Sequence, residues 1–258
     1  MVEKPWGRTE LPAFFGPTGG KKVGEIWYTG PEDTSLLIKA IFTSERLSIQ
    51  NHPSDEQARA RGLERGKEEC WYILDAEPNA VLGLGLKREV GCEELRAAAV
   101  DGSIEHLIDW KPARAGDFFY VSAGTVHAVG AGLTLFELQQ NADVTYRLYD
   151  YGRPRDLHVD DGIAVAEPRP YSDARARHVG VEAPSVLVDG PHFSLVHAVK
   201  GQAPTDSIKW RRRWVLPLDG TVFCAIDEAG PGECLLVEAA DEVDLGSARV
   251  LMAVEGSL

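Results

Sequence analysis

The sequence predicts an all-β chain: a sandwich or barrel carrying short helical insertions, followed by a smaller second β domain. Short apolar or alternating runs recur along its length, Gly, Pro or Asp separates them, and helical signals are few. The runs begin with SLLIKAIF (35–42) and RLSIQN (46–51), then ECWYIL (69–74), AVLGLGL (80–86), GDFFYV (116–121), LTLFELQQ (133–140) and TYRLYDY (145–151). SDEQARARGLERG (54–66) opens on a Ser-Asp cap and reads as a short helix, and GCEELRAAAVDGSIEHLIDW (91–110) as one or two more. RPRDLHVDDGIAVAEPRPYSDARARH (153–178) is rich in Pro, Asp and Arg and is the linker candidate. Beyond it FSLVHAV (193–199), TVFCAI (221–226), ECLLVE (233–238) and ARVLMAV (248–254) form a second β set.

A chain of 258 residues buries a large core without needing a disulfide or a metal to fold. Any metal is therefore expected to be functional. The start lacks an apolar leader and no segment has the length of apolar sequence that spans a bilayer, so a soluble, cytoplasmic protein is expected. The four cysteines form no C-x-x-C pair and read as reduced thiols. With 27 Lys plus Arg against 40 Asp plus Glu, the net charge of −13 argues against nucleic acid or an anionic membrane as partner. WRRRW (210–214), the one dense basic run, reads as the solvated face of a strand. An anionic small molecule stays allowed if a few cations cluster in a pocket.

The candidate chemistry starts at RLSIQNHPSDE (46–56). Strand alternation puts Leu47 and Ile49 on one face and Ser48, Gln50 and His52 on the other. Ordinary patterning would bury the apolar pair. Were the polar trio to line a barrel instead, the Gln50 amide and the His52 ring would stand about 6 to 7 Å apart and could converge on one ion. GKEECWYIL adds Glu69, Trp71 and Ile73 on one face of a strand, and GDFFYVSAGTVHAVG puts His127 after a glycine-containing turn.

These blocks, together with ADVTYRLYDYGR, resemble in order and spacing the type I mannose-6-phosphate isomerases, zinc enzymes of the cupin superfamily. The resemblance is strong over residues 4–153 and faint beyond 160. It implies a double-stranded β-helix, the cupin jelly roll, over residues 1–160, with helical insertions near 54–66 and 91–110. Residues 161–258 would be a second, metal-free cupin-like domain. It implies one zinc held by Gln50, His52, Glu69 and His127, hence an inward-facing polar trio. The substrate implied is a phosphorylated hexose, mannose 6-phosphate, interconverted with fructose 6-phosphate through an enediol. By the same resemblance Lys39 and Ser48 bind the sugar phosphate, Arg147 steadies the enediolate, and Glu137 or Lys67 moves the proton. The ligand set of two imidazoles, a carboxylate and an amide oxygen also accepts Fe(II), Mn(II), Co(II) and Ni(II). Alternation sends Glu68 outward and keeps Lys67, Glu69 and Trp71 on the pocket side.

The chain departs from the family pattern in QNHPSD, KEE, YDYGR and Ser122, and most of all in GEIWY (24–28), where Tyr28 stands for an acidic residue of the substrate pocket. A sugar-binding or regulatory metal cupin without catalysis is the alternative. Joint retention of Lys67, Glu137 and Arg147 favours the enzyme, since a binding module needs no proton-transfer groups. His178, His192 and His197 have no ligand spacing and read as structural.

Overall fold

In the computed structural model, which describes residues 1–225 and 227–258, the chain is predominantly β, as the sequence predicts. Its first part comprises β1 (Val2–Arg8), β2 (Val23–Tyr28), β3 (Leu36–Phe42), β4 (Ile49–Asn51), β5 (Glu69–Ala76) and β6 (Val81–Leu86). These are followed by β7 (Ile108–Pro112), β8 (Asp117–Val121), β9 (His127–Val129), β10 (Leu133–Gln140) and β11 (Tyr146–Tyr149). A large sheet runs β1-β2-β3-β10-β5-β8 and is extended by β12 (Arg177–His178). A smaller sheet of order β11-β4-β9-β6-β7 closes over it as the other wall of the jelly roll.

The large sheet is covered on both faces, which is why its central strands read as continuous apolar runs rather than alternating ones. Ile41, Trp71, Ile73, Leu133 and Leu135 face the barrel interior with Leu82, Leu84 and Val129 of the small sheet. Ile38, Cys70, Tyr72, Phe136 and Leu138 face the opposite way into a second core. That core is completed by Leu187, Phe193, Leu195, Trp214 and Leu251 of the C-terminal half. Each such large side chain contributes about 1.5–3 kcal/mol on full burial.

The second, third and fourth of four short helices cover the outer face of the small sheet. Here α1 (Asp55–Arg59), α2 (Cys92–Asp101), α3 (Ile104–Leu107) and α4 (Val159–Val165) are short. Ser54 and Gln57 form a reciprocal capping box at α1, Ser54 Oγ accepting from Gln57 N at 3.2 Å and Gln57 Oε1 from Ser54 N at 2.9 Å. Leu95, Ala98 and Ala99 of α2 and Ile163 of α4 pack on Ile49, Ala128 and Leu148. The stretch read as a linker thus folds back on the first barrel, through α4 and through β12, which pairs with β8.

The C-terminal half contains β13 (Ser185–Asp189), β14 (Phe193–Ala198), β15 (Arg213–Asp219), β16 (Val222–Cys224), β17 (Asp227–Ala229), β18 (Leu235–Val237) and β19 (Arg249–Glu255). Its sheet has the order β13-β14-β19-β15-β18, with β16 and β17 as a separate hairpin. The last residue of the expected TVFCAI strand, Ile226, lies outside the described residues. Within the basic run, Arg213 opens β15 but is buried rather than solvated. Its guanidinium donates to the carbonyls of Lys209, Arg211 and Asp241 at 3.1, 3.1 and 2.8 Å. Among the described residues no helix is long and apolar enough to cross a membrane.

Candidate metal centre

Inward positions of the large sheet change from apolar to polar along each strand: Ile41 gives way to Lys39, Leu135 to Glu137, and Ile73 to Glu69 past Trp71. This polar end meets β4 and β9. Strand register sets the neighbours, because Glu137 lies opposite Lys39 on one side and Trp71 on the other, while Gln50 lies between His127 and Arg147.

His52, Glu69 and His127 are buried, with ligand atoms that all lie within 4.8 Å of one another. His52 Nδ1 is 2.9 Å from the Val144 carbonyl and His127 Nδ1 is 2.9 Å from that of Thr125. A carbonyl only accepts, so each Nδ1 carries the proton and each Nε2 presents a lone pair. Those lone pairs point at Glu69, 3.4 Å from His52 and 3.3 Å from His127. Burial, then the nearby Lys67 charge, pushes His52 down to about 3. Burial likewise lowers His127. Glu69 sits well below the usual carboxylate range: burial opposes ionisation, but the Lys67 ammonium beside it outweighs that. Two unprotonated imidazoles therefore face an ionised carboxylate at neutral pH, and among the described residues His52 Nε2 and both Glu69 oxygens find no hydrogen-bond partner. Acceptors converging in this way repel one another unless a cation lies between them, so the residues fit a divalent metal.

Gln50 stands beside this group with its Nε2 3.4 Å from His127 Nε2 and its Oε1 accepting from Ser48 Oγ at 2.9 Å. Turning the amide over exchanges the two atoms and directs the oxygen to the centre; the Ser48 hydroxyl can accept as well as donate, so its contact survives. Glu68 faces the other way, its carboxylate accepting from the Tyr120 hydroxyl.

A cavity of about 190 Å³ adjoins the centre through Gln50 and Lys67, which line it. Lys67 Nζ, buried, is 3.0 Å from Glu69 Oε2. Burial opposes its charge, but Glu69 and Glu137 outweigh that and raise its pKa, so it stays an ammonium. Lys39 Nζ is 3.1 Å from Glu137 Oε1 and donates to Gln139 Oε1 at 2.6 Å, while Trp71 Nε1 donates to Glu137 Oε2 at 3.2 Å. Arg147 lines the cavity with no carboxylate partner among the described residues. All nine residues expected at the site thus lie in this one region. Sequence reasoning missed Lys4, Glu25, Trp27, Gln139 and Arg155, which also line the cavity. Arg155 is held by the buried Asp150, donating at 2.6 and 2.8 Å to its two oxygens. Five lysines and arginines on one cavity of an acidic protein meet the condition for an anionic ligand. The expectation for Tyr28 is corrected. Its neighbours in sequence, Glu25 and Trp27, take the cavity side, whereas the Tyr28 hydroxyl donates to Gly232 O at 2.7 Å and its ring packs edge-on against Phe136.

Fold and centre together define a cupin-type β protein with a buried site for a divalent metal beside a cation-rich cavity. The chain is similar to curated mannose-6-phosphate isomerases. It is 38% identical over 169 residues to the mannose-6-phosphate isomerase of Streptococcus mutans, covering 62% of this chain and 53% of that one. Against the mannose-6-phosphate isomerase ManA of Bacillus subtilis it is 42% identical over 170 residues, covering 62% and 54%. The chain thus spans about half the length of the curated relatives it matches. The crystal structure of the Bacillus subtilis mannose 6-phosphate isomerase superposes with a TM-score of 0.77 at 26% identity, covering 98% of this chain and 96% of that one. A mannose 6-phosphate isomerase bound with zinc and yttrium has the same fold, with a TM-score of 0.72 at 14% identity over 99% and 97% of the two chains. No protein-family profile matches the chain.

Proposed function

We propose that the protein is a cytoplasmic zinc-dependent aldose-ketose isomerase interconverting mannose 6-phosphate and fructose 6-phosphate through an enediol. The observation that carries this reading is the convergence of two Nδ1-protonated imidazoles on the Glu69 carboxylate, next to a cavity lined by Lys39, Lys67, Glu137 and Arg147. The zinc would be held by Gln50, His52, Glu69 and His127, as the donor chemistry allows. When bound, it supplies a Lewis acid near the sugar's carbonyl oxygen.

The chain's own groups account for the rest. Moving a proton between adjacent carbons requires a base near the α-carbon and positive charge near the developing oxyanion. Lys67, its charge favoured by Glu69 and Glu137, serves as donor to the oxyanion. Glu137, steadied by Lys39 and by the Trp71 indole, is the carboxylate that takes the proton. Arg147, free of any carboxylate among the described residues, has its donors available for the enediolate. Lys39 and Ser48 orient the sugar phosphate. The relatives named for this activity support the substrate class. A coupled assay of the zinc-loaded protein on mannose 6-phosphate tests it, with glucose 6-phosphate, ribose 5-phosphate and free mannose as comparisons. Turnover of the first at a kcat/KM far above the others is expected. Absence of turnover on every sugar phosphate by fully metallated protein would refute the reading.

A further inference from the structure

We propose that Lys4, Glu25 and Trp27 form a polyol-recognition wall at the cavity, with Glu25 as the residue that positions the other two. This rests on the isomerase reading only for the identity of the sugar.

Glu25 is buried, 7% exposed, yet its Oε2 takes two donors: Trp27 Nε1 at 2.7 Å and Lys4 Nζ at 3.3 Å. Its other oxygen makes no hydrogen bond among the described residues. Trp27 remains 40% exposed, with Lys39 Nζ 5.3 Å from its ring centroid. One carboxylate thereby holds an ammonium and an indole plane on the same wall.

The local backbone accommodates this arrangement. A Cβ on Gly24 would lie 2.5 Å from Lys4 Cβ, 2.6 Å from its Cγ and 2.8 Å from Trp6 Cζ3. A Cβ on Gly7 would lie 2.5 Å from the Val23 carbonyl carbon. The two glycines let β1 close on β2, so that the aliphatic stem of Lys4 lies across the Gly24 backbone and its head reaches Glu25.

The three groups match a sugar chain rather than a phosphate. An aromatic face receives C–H groups, a carboxylate oxygen accepts from hydroxyls, and an ammonium donates to them. A phosphate placed here would meet the Glu25 charge. The wall is therefore assigned to the hydroxyl-bearing carbons, where it tells chain length and stereochemistry apart.

The test uses the full zinc-loaded chain and the variants Glu25→Gln, Lys4→Met and Trp27→Leu, with melting temperature and zinc content as controls. Each variant is expected to raise KM for mannose 6-phosphate roughly tenfold with kcat within about threefold. Calorimetric titration with sorbitol 6-phosphate and with inorganic phosphate supplies a readout independent of turnover. Each variant should weaken the first and leave the second unchanged. A purely structural role would weaken both or neither, and either result overturns the wall. So does a wild-type protein that binds sorbitol 6-phosphate no better than phosphate. Lys4→Met decides the matter should Glu25→Gln fail to fold. If the wild type turns over no sugar yet binds sorbitol 6-phosphate in a Glu25-dependent way, the isomerase reading falls and the wall stands.

Discussion

Replacing Glu69 by Gln while leaving Glu68 intact, and the converse, separates the metal centre from the outer face of the same strand. Glu69 is the only anion among the four expected ligands, and its two oxygens lie 3.4 and 3.3 Å from the histidine Nε2 atoms. Its loss should strip or weaken the ion. It also removes the partner 3.0 Å from the buried Lys67, and breaking a buried pair on one side costs about 3–5 kcal/mol. For a chain of this size that corresponds to a fall of roughly 6–20 °C in melting temperature. Glu68→Gln forfeits the charge on a hydrogen bond from the Tyr120 hydroxyl, worth about 1.5–3 kcal/mol at most and less where water competes. Its metal content should be unchanged. Metal analysis of the purified proteins and thermal melts with and without chelator read both outcomes. If Glu68→Gln loses the ion while Glu69→Gln keeps it, the register of β5 is off by one, and the cavity face built on Lys67, Glu69 and Trp71 falls with it.

Arg147→Ala should keep its metal and lose on the order of 100- to 1000-fold in kcat, with Arg147→Lys recovering only part because the planar fork is gone; unchanged kcat with raised KM would assign Arg147 to substrate binding instead. Dialysis against a chelator should abolish turnover and zinc should restore it, followed in the coupled assay; activity that survives complete demetallation refutes the metal's role. Asp55 is held below the ordinary carboxylate value: burial opposes this, but hydrogen bonds from Gln140 and the Gly66 backbone outweigh it. The stability it contributes is present above its unfolded pKa of about 3.9 and is lost as pH falls through the lower folded value, so Asp55→Asn should be less stable at pH 7 and converge with wild type in strong acid. Parallel urea melts at each pH check this, and a gap that widens in acid would refute it. Asp150→Ala should leave Arg153 and Arg155 facing each other without their shared carboxylate and cost about 3–5 kcal/mol, measured by urea unfolding; a cost below about 1 kcal/mol would show that water replaces the carboxylate.

The first barrel was readable because its site residues sit inside strong local patterns. Glu69 and Trp71 alternate within an apolar strand, and Ser48, Gln50 and His52 share one face, although patterning alone would have left that face wet. The resolution is that Ile49 is buried too, under the helices of the insertion. Lys4 was not readable, and GEIWY drew notice for Tyr28 rather than for Glu25 and Trp27. β1 contains Pro5 and Gly7 and carries charges at Glu3, Lys4 and Arg8, features that mark an edge strand rather than a wall of a site. Its pairing with β2 depends on a contact across a long turn that no local period records. The linker composition of residues 153–178 likewise concealed α4, whose buried Ile163 and Val165 anchor an otherwise polar stretch.

The large sheet is shared by the two cores, and its strands alternate between them residue by residue. Cys70 separates Glu69 from Trp71, Phe136 and Leu138 flank Glu137, and Ile38 and Ala40 flank Lys39. Glu69, Glu137 and Lys39 are thus each one peptide unit from a side chain gripped by the C-terminal half. Among the described residues that half contributes no group to the metal centre, but it is the other side of a party wall. A volume change at Phe193 or Leu251 presses on the backbone that aims Glu69 and Glu137, and a chain shortened to its first barrel would leave a broad oily surface where that backbone is now clamped.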